Sequence, residues 1–547
     1  MIRHLLSLLF ALSFLAGCGV SEVVEAPVYL NTYSDSLPFL EAFAAATQQA
    51  DARLENYPIR AAILPHHLVA AESIAQVFAA LQYQKPKHII LISPDHFSQC
   101  ENLLCVTDGE FQTPFGVVKT DTVNIQTLTA SKLVTKDAEI FQREHGIFAL
   151  LPFFATYTPQ ALLTPIVIPQ KNLLRWYASE TEILKLLQPL LTTDTVLIIS
   201  SDFSHYFTVA EADLRDEETA KAIFTPDTAA LRKLNNPANS DCPNCLSLVT
   251  DLALQNNFFN PTLVSHTNSA RILKDLSVKV TTSHFAILYY ENASLASHDA
   301  AFAGDATLVR NNQPQLSSEA DLFWQGDGLR IVNLETPLAE TCEANLNPYI
   351  FCTTEAAWKK IKNLATHWGM QNNHMFDVGV DSLSTTEKII TANSEIPLTT
   401  TYEDANLRII PITLILNPIA TPDNLQLEAE YKKVIAALKN KKDEKLTVVF
   451  AHGGEEFISL PSVAFQTKLQ SFIDAGADAV IATHAHLPSP LVIHRGKPIF
   501  TGIGNLVFDQ HSTIPTETAV LLRLRKENNK VLFETLHARN SVAENLH

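Results

Sequence analysis

Apolar runs that end at a polar, acidic or histidine residue recur along the whole chain, and they limit the fold more than any other feature. In the first half they are AAILPHH at 61–67, HIILISPDHF at 88–97 and TVLIISSDFSHY at 195–206. In the second half they are FAGD at 302–305, IVNLE at 331–335, LTVVFAHGGEE at 446–456, ADAVIATHAH at 477–486 and PIFTGIGN at 498–505. Continuous runs rich in β-branched residues are typical of strands that are buried on both faces.

Helical patterns lie between these runs, as in EYKKVIAALKNKK at 430–442 and FQTKLQSFIDAG at 465–476, whose final glycine suits a helix C-cap. Alternation of strands and helices predicts α/β layers in both halves. A chain of 547 residues is too long for one ordinary core, and no fixed-period repeat relates the halves. We therefore expect two different α/β domains, divided near residues 291–298. Their sites should lie at the carboxyl ends of the strands.

The composition excludes one class of partner. The net charge is −18 and no basic run appears, whereas binding to phosphate backbones needs clustered lysine and arginine. Nucleic acid is therefore not expected as a partner. A hydrophobic fraction of 46% and a charged fraction of 18% are typical of a globular protein.

The N-terminus, MIRHLLSLLFALSFLAGCGV, has the pattern of an export signal. Arg3 precedes an apolar stretch at 5–15 that is too short to span a bilayer. The following Leu-Ala-Gly-Cys at 15–18 resembles a bacterial lipobox, which implies cleavage before Cys18 and lipidation of its thiol.

This resemblance implies a signal peptide at 1–17 and a tether at 18–30. It also implies a cell-envelope protein whose partner is the membrane, through a lipid anchor. Gly19 follows the cysteine where an inner-membrane retention signal would have aspartate. We therefore expect the outer membrane, facing the periplasm of a Gram-negative bacterium.

The six remaining cysteines form three local pairs. In an oxidising compartment such spacing suggests disulfides, whereas in a cytosol it would suggest metal or redox chemistry. The export signal favours disulfides. The candidate pairs are Cys100 with Cys105, Cys242 with Cys245, and Cys342 with Cys352.

Potential metal ligands end successive strands of the second half. Taken singly, each fits an ordinary hydrogen-bonded loop, but the whole set predicts a metal site. Alternation of side chains along a strand predicts that His484 and His486 share one side. Oxygen and imidazole ligands suit Zn, Mn or Fe. The set comprises Asp305, Glu335, Asn373, His374, Asp377, His452, His484 and His486.

The second half resembles the CapA-type branch (poly-γ-glutamate capsule synthesis) of the calcineurin-like metallophosphoesterases. The matching segments are GDATL, VNLETPL, NNHMFDVG, HGGEEF, DAGADAVIATHAH and GKPIFTGIGNLVFDQ. The resemblance implies a four-layer α/β/β/α sandwich with two divalent metal ions, Mn, Fe or Zn. It implies that His374 is the acid that meets the leaving group and that Glu335 bridges the metals. The implied ligands are Asp305, Glu335, Asn373, His452, His484 and His486.

Histidines also end several strands of the first half. Three or four imidazoles in one cleft suit a mononuclear iron or copper site or acid–base work, and a polar cleft without metal is the alternative. The segments ILPHH, ILISPDHF, FQTPFGVVKTD, REHGIFALLPFF and IISSDFSHY resemble the Memo-like family, also called AmmeMemoRadiSam system protein B. That family's α/β fold is related to class III extradiol dioxygenases.

The Memo resemblance implies that His66, His96 and Cys242 form a metal site and that His145 and His205 line the cleft. Iron or copper is the expected metal. Cys242 lies in a Cys-Pro-Asn-Cys segment with Cys245, and a disulfide there would remove the thiolate that a metal needs.

Together these features predict a Memo-like domain at 31–293 and a CapA-like metallophosphoesterase domain at 294–547. The favoured function is that of a metal-dependent hydrolase acting on a phosphoester or an envelope or capsule polymer. Two alternatives remain. One is a non-catalytic assembly factor for capsule or polyglutamate, and the other is a Memo-like metal or redox protein with an accessory CapA domain.

Overall fold

The structure is a computed structural model that describes most of the chain. The described residues are 27–30, 33, 35–48, 57–308, 314–315, 318–326, 328–342, 349–416, 424–508, 516–539 and 541–542. The predicted signal peptide and the predicted lipidation site at Cys18 lie outside the described residues.

The first half alternates strands and helices as its sequence predicts. Its strands are β1 (Val28–Leu30), β2 (Ile59–Leu64), β3 (His88–Pro94), β4 (Leu104–Val106), β5 (Glu110–Thr113), β6 (Gly116–Val118), β7 (Val134–Lys136), β8 (Leu162–Ile168), β9 (Thr195–Ser200), β10 (His205–Phe207), β11 (Pro261–Asn268) and β12 (Thr281–Tyr290). Its helices are α1 (Leu37–Gln48), α2 (Ala71–Gln84), α3 (Thr122–Thr129), α4 (His145–Phe148), α5 (Leu151–Tyr157), α6 (Leu173–Ala178), α7 (Glu180–Leu187), α8 (Val209–Phe224), α9 (Thr228–Leu231), α10 (Pro243–Gln255) and α11 (Ser269–Ile272).

The second half has more strands and fewer helices. Its strands are β13 (Ala300–Thr307), β14 (Pro314–Gln315), β15 (Leu329–Leu334), β16 (Leu338–Ala339), β17 (Thr353–Thr354), β18 (His367–Gly369), β19 (Ile396–Leu398), β20 (Tyr402–Glu403), β21 (Leu407–Thr413), β22 (Leu446–His452), β23 (Ala479–Thr483), β24 (Leu491–His494), β25 (Lys497–Phe500), β26 (Asn505–Phe508), β27 (Thr518–Glu527), β28 (Lys530–Arg539) and β29 (Ser541–Val542). Its helices are α12 (Ser318–Trp324), α13 (Glu355–Trp358), α14 (Ser382–Ala392), α15 (Asn424–Lys439) and α16 (Val463–Ala475).

One sheet of fifteen described strands runs through both halves, in the order β20-β21-β22-β23-β25-β24-β11-β12-β2-β9-β3-β8-β4-β7, with β10 beside β12. The halves meet where β24 pairs in parallel with β11, through Thr262 and Leu491. The sequence predicts two α/β domains, but it contains no signal for this shared sheet.

A second sheet of seven described strands belongs to the second half alone, in the order β19-β18-β15-β13-β27-β28, with β26 beside β13. Phe302 and Ile331 of this sheet pack in one hydrophobic cluster with Val448 and Ile481 of the first sheet. Helices α12–α14 cover the outer face of the second sheet, and α15 and α16 cover the outer face of the first. The second half therefore has the four-layer α/β/β/α arrangement expected from its sequence.

In the first half, helices cover both faces of the central sheet. Phe39, Ile74 and Phe153 from α1, α2 and α5 lie on one face. Ile183 and Leu248 from α7 and α10 lie on the other. This three-layer arrangement buries β2, β3 and β9 on both sides, which explains their continuous apolar sequences.

The ends of several elements also follow local sequence signals. Helix α16 begins after the N-cap Ser462 and ends before Gly476, whose φ of 121° suits glycine. Val28–Leu30, which fall in the predicted tether, instead form β1 and pair in parallel with β5. None of the described helices is long and apolar enough to cross a membrane.

The structure contains disulfides between Cys100 and Cys105, between Cys242 and Cys245, and between Cys342 and Cys352. These are the three pairs that the sequence spacing suggests. The middle bond bears directly on the cleft of the first half, as described below.

Candidate functional site

The carboxyl ends of strands from both sheets of the second half meet at one buried centre. Asp305 lies within β13, two residues before its end, and Glu335 directly follows β15. His452 is the last residue of β22, and His484 directly follows β23. Because the strands of each sheet are parallel here, their polar ends converge on one edge of the sandwich.

Glu335 is the middle of this centre. Its side chain is fully buried, and neither carboxylate oxygen receives a hydrogen bond within the described structure. Four imidazole nitrogens nevertheless surround it, with His452 Nε2 3.3 Å and His484 Nδ1 3.9 Å from Oε1. Burial alone would raise the pKa of Glu335, but His486 and His452 hold it well below its usual value. A buried carboxylate without donors, ringed by histidines, has the donor set of a metal ligand.

Asp305 and His486 form one ligand group with Glu335. His486 Nδ1 is 3.3 Å from Asp305 Oδ2 and 3.8 Å from Glu335 Oε2. Burial opposes a charge on His486, but Glu335 and Asp305 raise its pKa to about 10. Ligand atoms of Asp305, Glu335 and His486 all lie within 4.8 Å of one another, which is close enough to hold one ion.

His452 and His484 form a second ligand group with Glu335, and Asn373 contacts His452. His452 Nε2 is 2.8 Å from Asn373 Oδ1, and its Nδ1 is 2.9 Å from Thr483 Oγ1. Ligand atoms of Glu335, His452 and His484 also lie within 4.8 Å of one another. Glu335 therefore belongs to both groups, and the structure brings together all six ligands that the CapA resemblance implies.

The two histidines of the Thr-His-Ala-His segment reach the centre by a different route from the one predicted. Strand β23 ends at Thr483, so the alternation of a strand does not apply to them. His484 has a φ of 96° and His486 a φ of 57°, both in the left-handed region that non-glycine residues seldom adopt. The two side chains therefore face the same centre, as predicted, but a bend after the strand places them there and strand alternation does not.

His374 borders the centre without belonging to either ligand group. Its Nε2 is 3.9 Å from Glu335 Oε1, and its Nδ1 is 2.7 Å from Asp377 Oδ2. The ring stacks on Phe351 with a centroid distance of 4.0 Å. Burial opposes its charge, but the hydrogen bond with Asp377 and the charge of Glu335 raise the pKa of His374. These contacts fix the orientation of His374 and favour its protonated form.

The sequence patterns do not predict several other polar side chains at the centre. Asn333 Nδ2 donates to Asp305 Oδ1 at 2.7 Å, and Asn505 Oδ1 accepts from His486 Nδ1 at 2.9 Å. Glu456 Oε1 lies 3.9 Å from His484 Nε2. Both asparagines lie in segments that the sequence predicts to be strands. An asparagine within a strand carries no sequence pattern that identifies it as a hydrogen-bond partner of a metal ligand.

Glycine makes the approach of β13 to β26 possible. A Cβ on Gly304 would lie 1.7 Å from the carbonyl oxygen of Gly504, which itself has a φ of 69°. The same oxygen accepts the backbone N–H of Asp305 at 3.1 Å. This contact explains the glycines of the GDATL and GIGN segments, since it brings Asp305 and Asn505 together.

A second cluster lies in the first half, around His66. The Nε2 atom of His66 is 3.2 Å from Asp241 Oδ2 and 3.4 Å from Asp202 Oδ2. His96 Nε2 is 3.6 Å from the same oxygen of Asp241. Burial opposes ionised Asp241, but His66 and His96 lower its pKa. Two imidazoles and a carboxylate therefore face one point.

Other buried groups orient both of these rings. His66 Nδ1 is 3.0 Å from Ser200 Oγ, whose hydroxyl donates to the carbonyl of Gly146 at 2.7 Å. Ser200 therefore accepts from His66 Nδ1–H. His96 Nδ1 is 2.5 Å from Oε1 of the fully buried Glu144. Each ring is thus tied at Nδ1 and turns Nε2 into the cleft, as metal-binding histidines do.

His145 and His205 both lie at this cleft. The ring of His145 is 3.8 Å from that of His96 between centroids. Burial and the neighbouring charges of His96 and His66 lower the pKa of His145 to about 4. Burial also lowers the pKa of His205, against the charges of Asp241 and Asp202.

Cys242 does not take the metal-ligand role that the Memo resemblance implies. Its sulfur is bonded to Cys245, so it offers no thiolate. The preceding residue, Asp241, supplies the negative group that faces His66 and His96 instead. Asp241 directly precedes Cys242, and Asp202 lies within the IISSDFSHY segment. Their carboxylates are the sequence signal for these two positions.

Two parts of the chain match known protein families. Residues 27–285 match the family model described as Memo-like protein. Residues 416–510 match the family model described as bacterial capsule synthesis protein PGA_cap. The first range includes the cleft around His66, and the second includes His452, His484 and His486.

Individual relatives fall into the same two groups. A MEMO1 family protein of Pyrobaculum aerophilum is 25% identical over 238 residues, or 42% of this chain and 82% of that protein. The PGA biosynthesis protein CapA of Bacillus subtilis (strain 168) is 33% identical over 94 residues, or 17% of this chain and 25% of that protein. The capsule biosynthesis protein CapA of Bacillus anthracis is 26% identical over 188 residues, or 30% of this chain and 46% of that protein. The chain thus spans less than half the length of these two CapA proteins.

Proposed function

We propose that this chain, which joins a Memo-like domain to a CapA-type domain, is a metal-dependent hydrolase of the cell envelope. Its reaction would take place in the CapA-type domain. One observation carries the proposal. Both oxygens of the buried Glu335 lack hydrogen-bond donors and face the side chains of four histidines.

The residues present fit two divalent cations that share Glu335. Asp305 and His486 would complete one site, and Asn373, His452 and His484 the other. Imidazole and carboxylate ligands suit Mn, Fe or Zn. Such ions, when bound, supply an activated water and charge that stabilises developing negative oxygen.

The chain itself supplies the proton for the leaving group. His374 carries that proton on Nε2, because its Nδ1 is paired with Asp377. Stacking on Phe351 and the hydrogen bond with Asp377 fix the ring, so the proton is delivered from one place. A positioned acid of this kind contributes roughly 10²–10⁴ in rate.

Sequence observations and the names of relatives support proposals for the substrate and the location of the protein. Matching relatives are named for biosynthesis of PGA or capsule. We therefore propose a capsule or envelope polymer, or a phosphoester within one, as the substrate. The Leu-Ala-Gly-Cys segment supports a lipid anchor at Cys18 and an outer-membrane location facing the periplasm.

Metal analysis and turnover test this proposal together. Asp305→Ala and His484→Ala should lose bound metal and turnover on a phosphodiester and on a polyglutamate. His374→Ala should keep its metal and lose about 10²–10⁴ in kcat. His494→Ala is the matched control, because this histidine also ends a strand but pairs with Asp474 at the surface.

If the wild type holds metal but turns over neither substrate, the hydrolase proposal fails. That result would favour the alternative of a non-catalytic assembly factor for capsule or polyglutamate. Vesicle flotation of the full chain, compared with Cys18→Ala, tests the lipid anchor separately.

A second candidate function belongs to the Memo-like domain. His66 and His96 both face Asp241, and His66 also groups with His145 and with Asp202, so the cleft offers imidazole and carboxylate ligands that suit iron. The orientation of both rings by Ser200 and Glu144 supports this role. Asp241→Asn should abolish iron binding in this domain, while the binding of metal at Glu335 continues. Iron retained by Asp241→Asn would contradict it.

A further inference from the structure

We propose that the Memo-like domain holds a wall of the CapA-type metal centre in place, with Glu217 as a positioning residue. Glu217 lies on α8 of the first domain and binds the loop at 453–462 of the second. This inference rests on the metal centre proposed above. It assigns the first domain a role in the chemistry of the second.

The loop in question connects a metal ligand to the next helix, and we call it the metal-centre loop. It begins directly after His452, the last residue of β22, and ends at Ser462, the N-cap of α16. Its Glu456 lies 3.9 Å from His484 Nε2, and the ring of its Phe457 is 5.5 Å from that of His486. The loop therefore forms one wall of the metal centre.

Two backbone hydrogen bonds tie the loop to the opposite ligand segment. Gly453 N donates to Thr483 O at 3.1 Å, and Phe457 N donates to Ala485 O at 2.9 Å. Both acceptors are neighbours of His484. We call residues 484–486, which carry His484 and His486, the ligand turn. A shift of the metal-centre loop would therefore move the ligand turn as well as Glu456.

The third attachment crosses to the other domain. The carboxylate of Glu217 accepts the backbone N–H of Ser459 at 2.6 Å and that of Leu460 at 3.0 Å. Ser459 is fully buried, and the Glu217 side chain is 14% exposed. Hydrogen bonds that an ionised carboxylate accepts from backbone N–H groups are about twice as strong as those between neutral groups. One side chain thus fixes two successive residues of the loop.

Packing between the domains reinforces this attachment. Leu460 packs against the hydrophobic cluster of the first domain, next to the Glu217 contact. The ligand turn is held in the same way, because β24 follows it and pairs with β11 through Leu491 and Thr262. Both loops that follow the C-terminal histidine ligands are therefore anchored on the Memo-like domain.

Helix α8 does not depend on these contacts for its own structure. Thr208 and Glu211 form a capping box at its N-terminus, and Asp216 binds His266 of β11 at 2.8 Å. Substitution of Glu217 should therefore release the loop while leaving the helix in place.

The experiment compares Glu217→Gln and Glu217→Ala with the wild type as full chains. Mn²⁺ affinity is measured by calorimetry, and hydrogen exchange is measured on peptides covering 453–462. The Ala variant should exchange faster in this loop and bind Mn²⁺ about tenfold more weakly, the usual cost of losing a group that supports metal ligands. The Gln variant should fall in between, since its carbonyl can accept only one N–H in the same geometry.

The matched control is Asp213→Asn, on the same helix, whose carboxylate pairs with Arg271 within the first domain. It should leave loop exchange and Mn²⁺ affinity unchanged. Glu335→Ala separates the two proposals, because it should abolish Mn²⁺ binding without loosening the contacts of Glu217. If the wild type binds none of Mn²⁺, Fe²⁺ and Zn²⁺, the proposed function and this inference both fail, whereas wild-type metal affinity in Glu217→Ala overturns the inference alone.

Equal loop exchange and equal Mn²⁺ affinity in the wild type and Glu217→Ala would overturn the inference. Faster loop exchange with unchanged affinity would also overturn it, because Glu217 would then be only structural.

Discussion

His374 and Asp377 are the residues through which pH should control the reaction. Burial opposes the charged imidazole, but Asp377 and Glu335 raise its pKa above the usual value of about 6.5. An acid must be protonated to donate, so kcat should be full below the raised pKa and fall as the pH rises through it.

Asp377→Asn should shift this fall to lower pH by roughly one unit, because it removes the charged partner that raises the pKa. The measurement is the pH dependence of kcat for the variant and the wild type. Asp381→Asn serves as the control, since Asp381 makes no side-chain cap bond at the start of α14. An unchanged descending limb in Asp377→Asn would remove His374 as the acid.

For single residues, the sequence predicts the potential metal ligands better than it predicts the side chains that contact those ligands. Asp305, Glu335 and the histidines are predictable because they lie at the ends of apolar runs. They also occur in the segments that resemble the CapA-type family. Asn333 and Glu456 were not predicted, because their roles come from contacts across the two sheets and the loop. In the first half, Asp241 faces His66 and His96 where the sequence predicts Cys242, because a local disulfide takes the sulfur of Cys242.

At the scale of elements, the approach of β13 to β26 determines whether the centre can form. Gly304→Ala would place a methyl group 1.7 Å from the carbonyl oxygen of Gly504, so the strands must separate. Overpacking of this kind costs about 1–3 kcal/mol, and the separation would also move Asp305 from His486.

We therefore expect Gly304→Ala to lower the free energy of unfolding in urea and to weaken Mn²⁺ binding together. A variant with wild-type stability and wild-type Mn²⁺ affinity would show that the close approach of the two strands is not required.

The elements themselves were largely predictable from local sequence. Buried strands appear where β-branched residues run continuously, and α16 ends at the glycine that its sequence marks. The turn after β23 is not predictable from the sequence. His484 and His486 have positive φ angles, but neither is a glycine, the residue type that usually indicates such angles. Such backbone strain at a site is maintained by its surroundings and has no signal in local sequence.

At the scale of the whole molecule, the two domains form one packed body within the described residues. Tyr57 of the first half stacks on Phe533 of the second at 4.4 Å and donates its hydroxyl to the carbonyl of the same residue at 2.9 Å. Asn292 Nδ2 donates to Thr535 O at 2.7 Å. One hydrophobic cluster contains residues of both halves.

Thermal unfolding should therefore occur in one cooperative transition. Differential scanning calorimetry should give a calorimetric enthalpy equal to the van't Hoff enthalpy. Two separate transitions, one for each domain, would contradict the shared sheet. The sequence predicts two domains but does not predict that they share a sheet. The β11–β24 pairing joins segments more than two hundred residues apart, and no local sequence signal indicates it.

The metal content of the purified protein tests directly whether Glu335 is shared by two metal sites. Wild type and Glu335→Ala are loaded with Mn²⁺, desalted and analysed by mass spectrometry for metal per chain. We expect the variant to hold about two ions fewer than the wild type, because Glu335 belongs to both proposed sites. Equal metal content in the two proteins would contradict it.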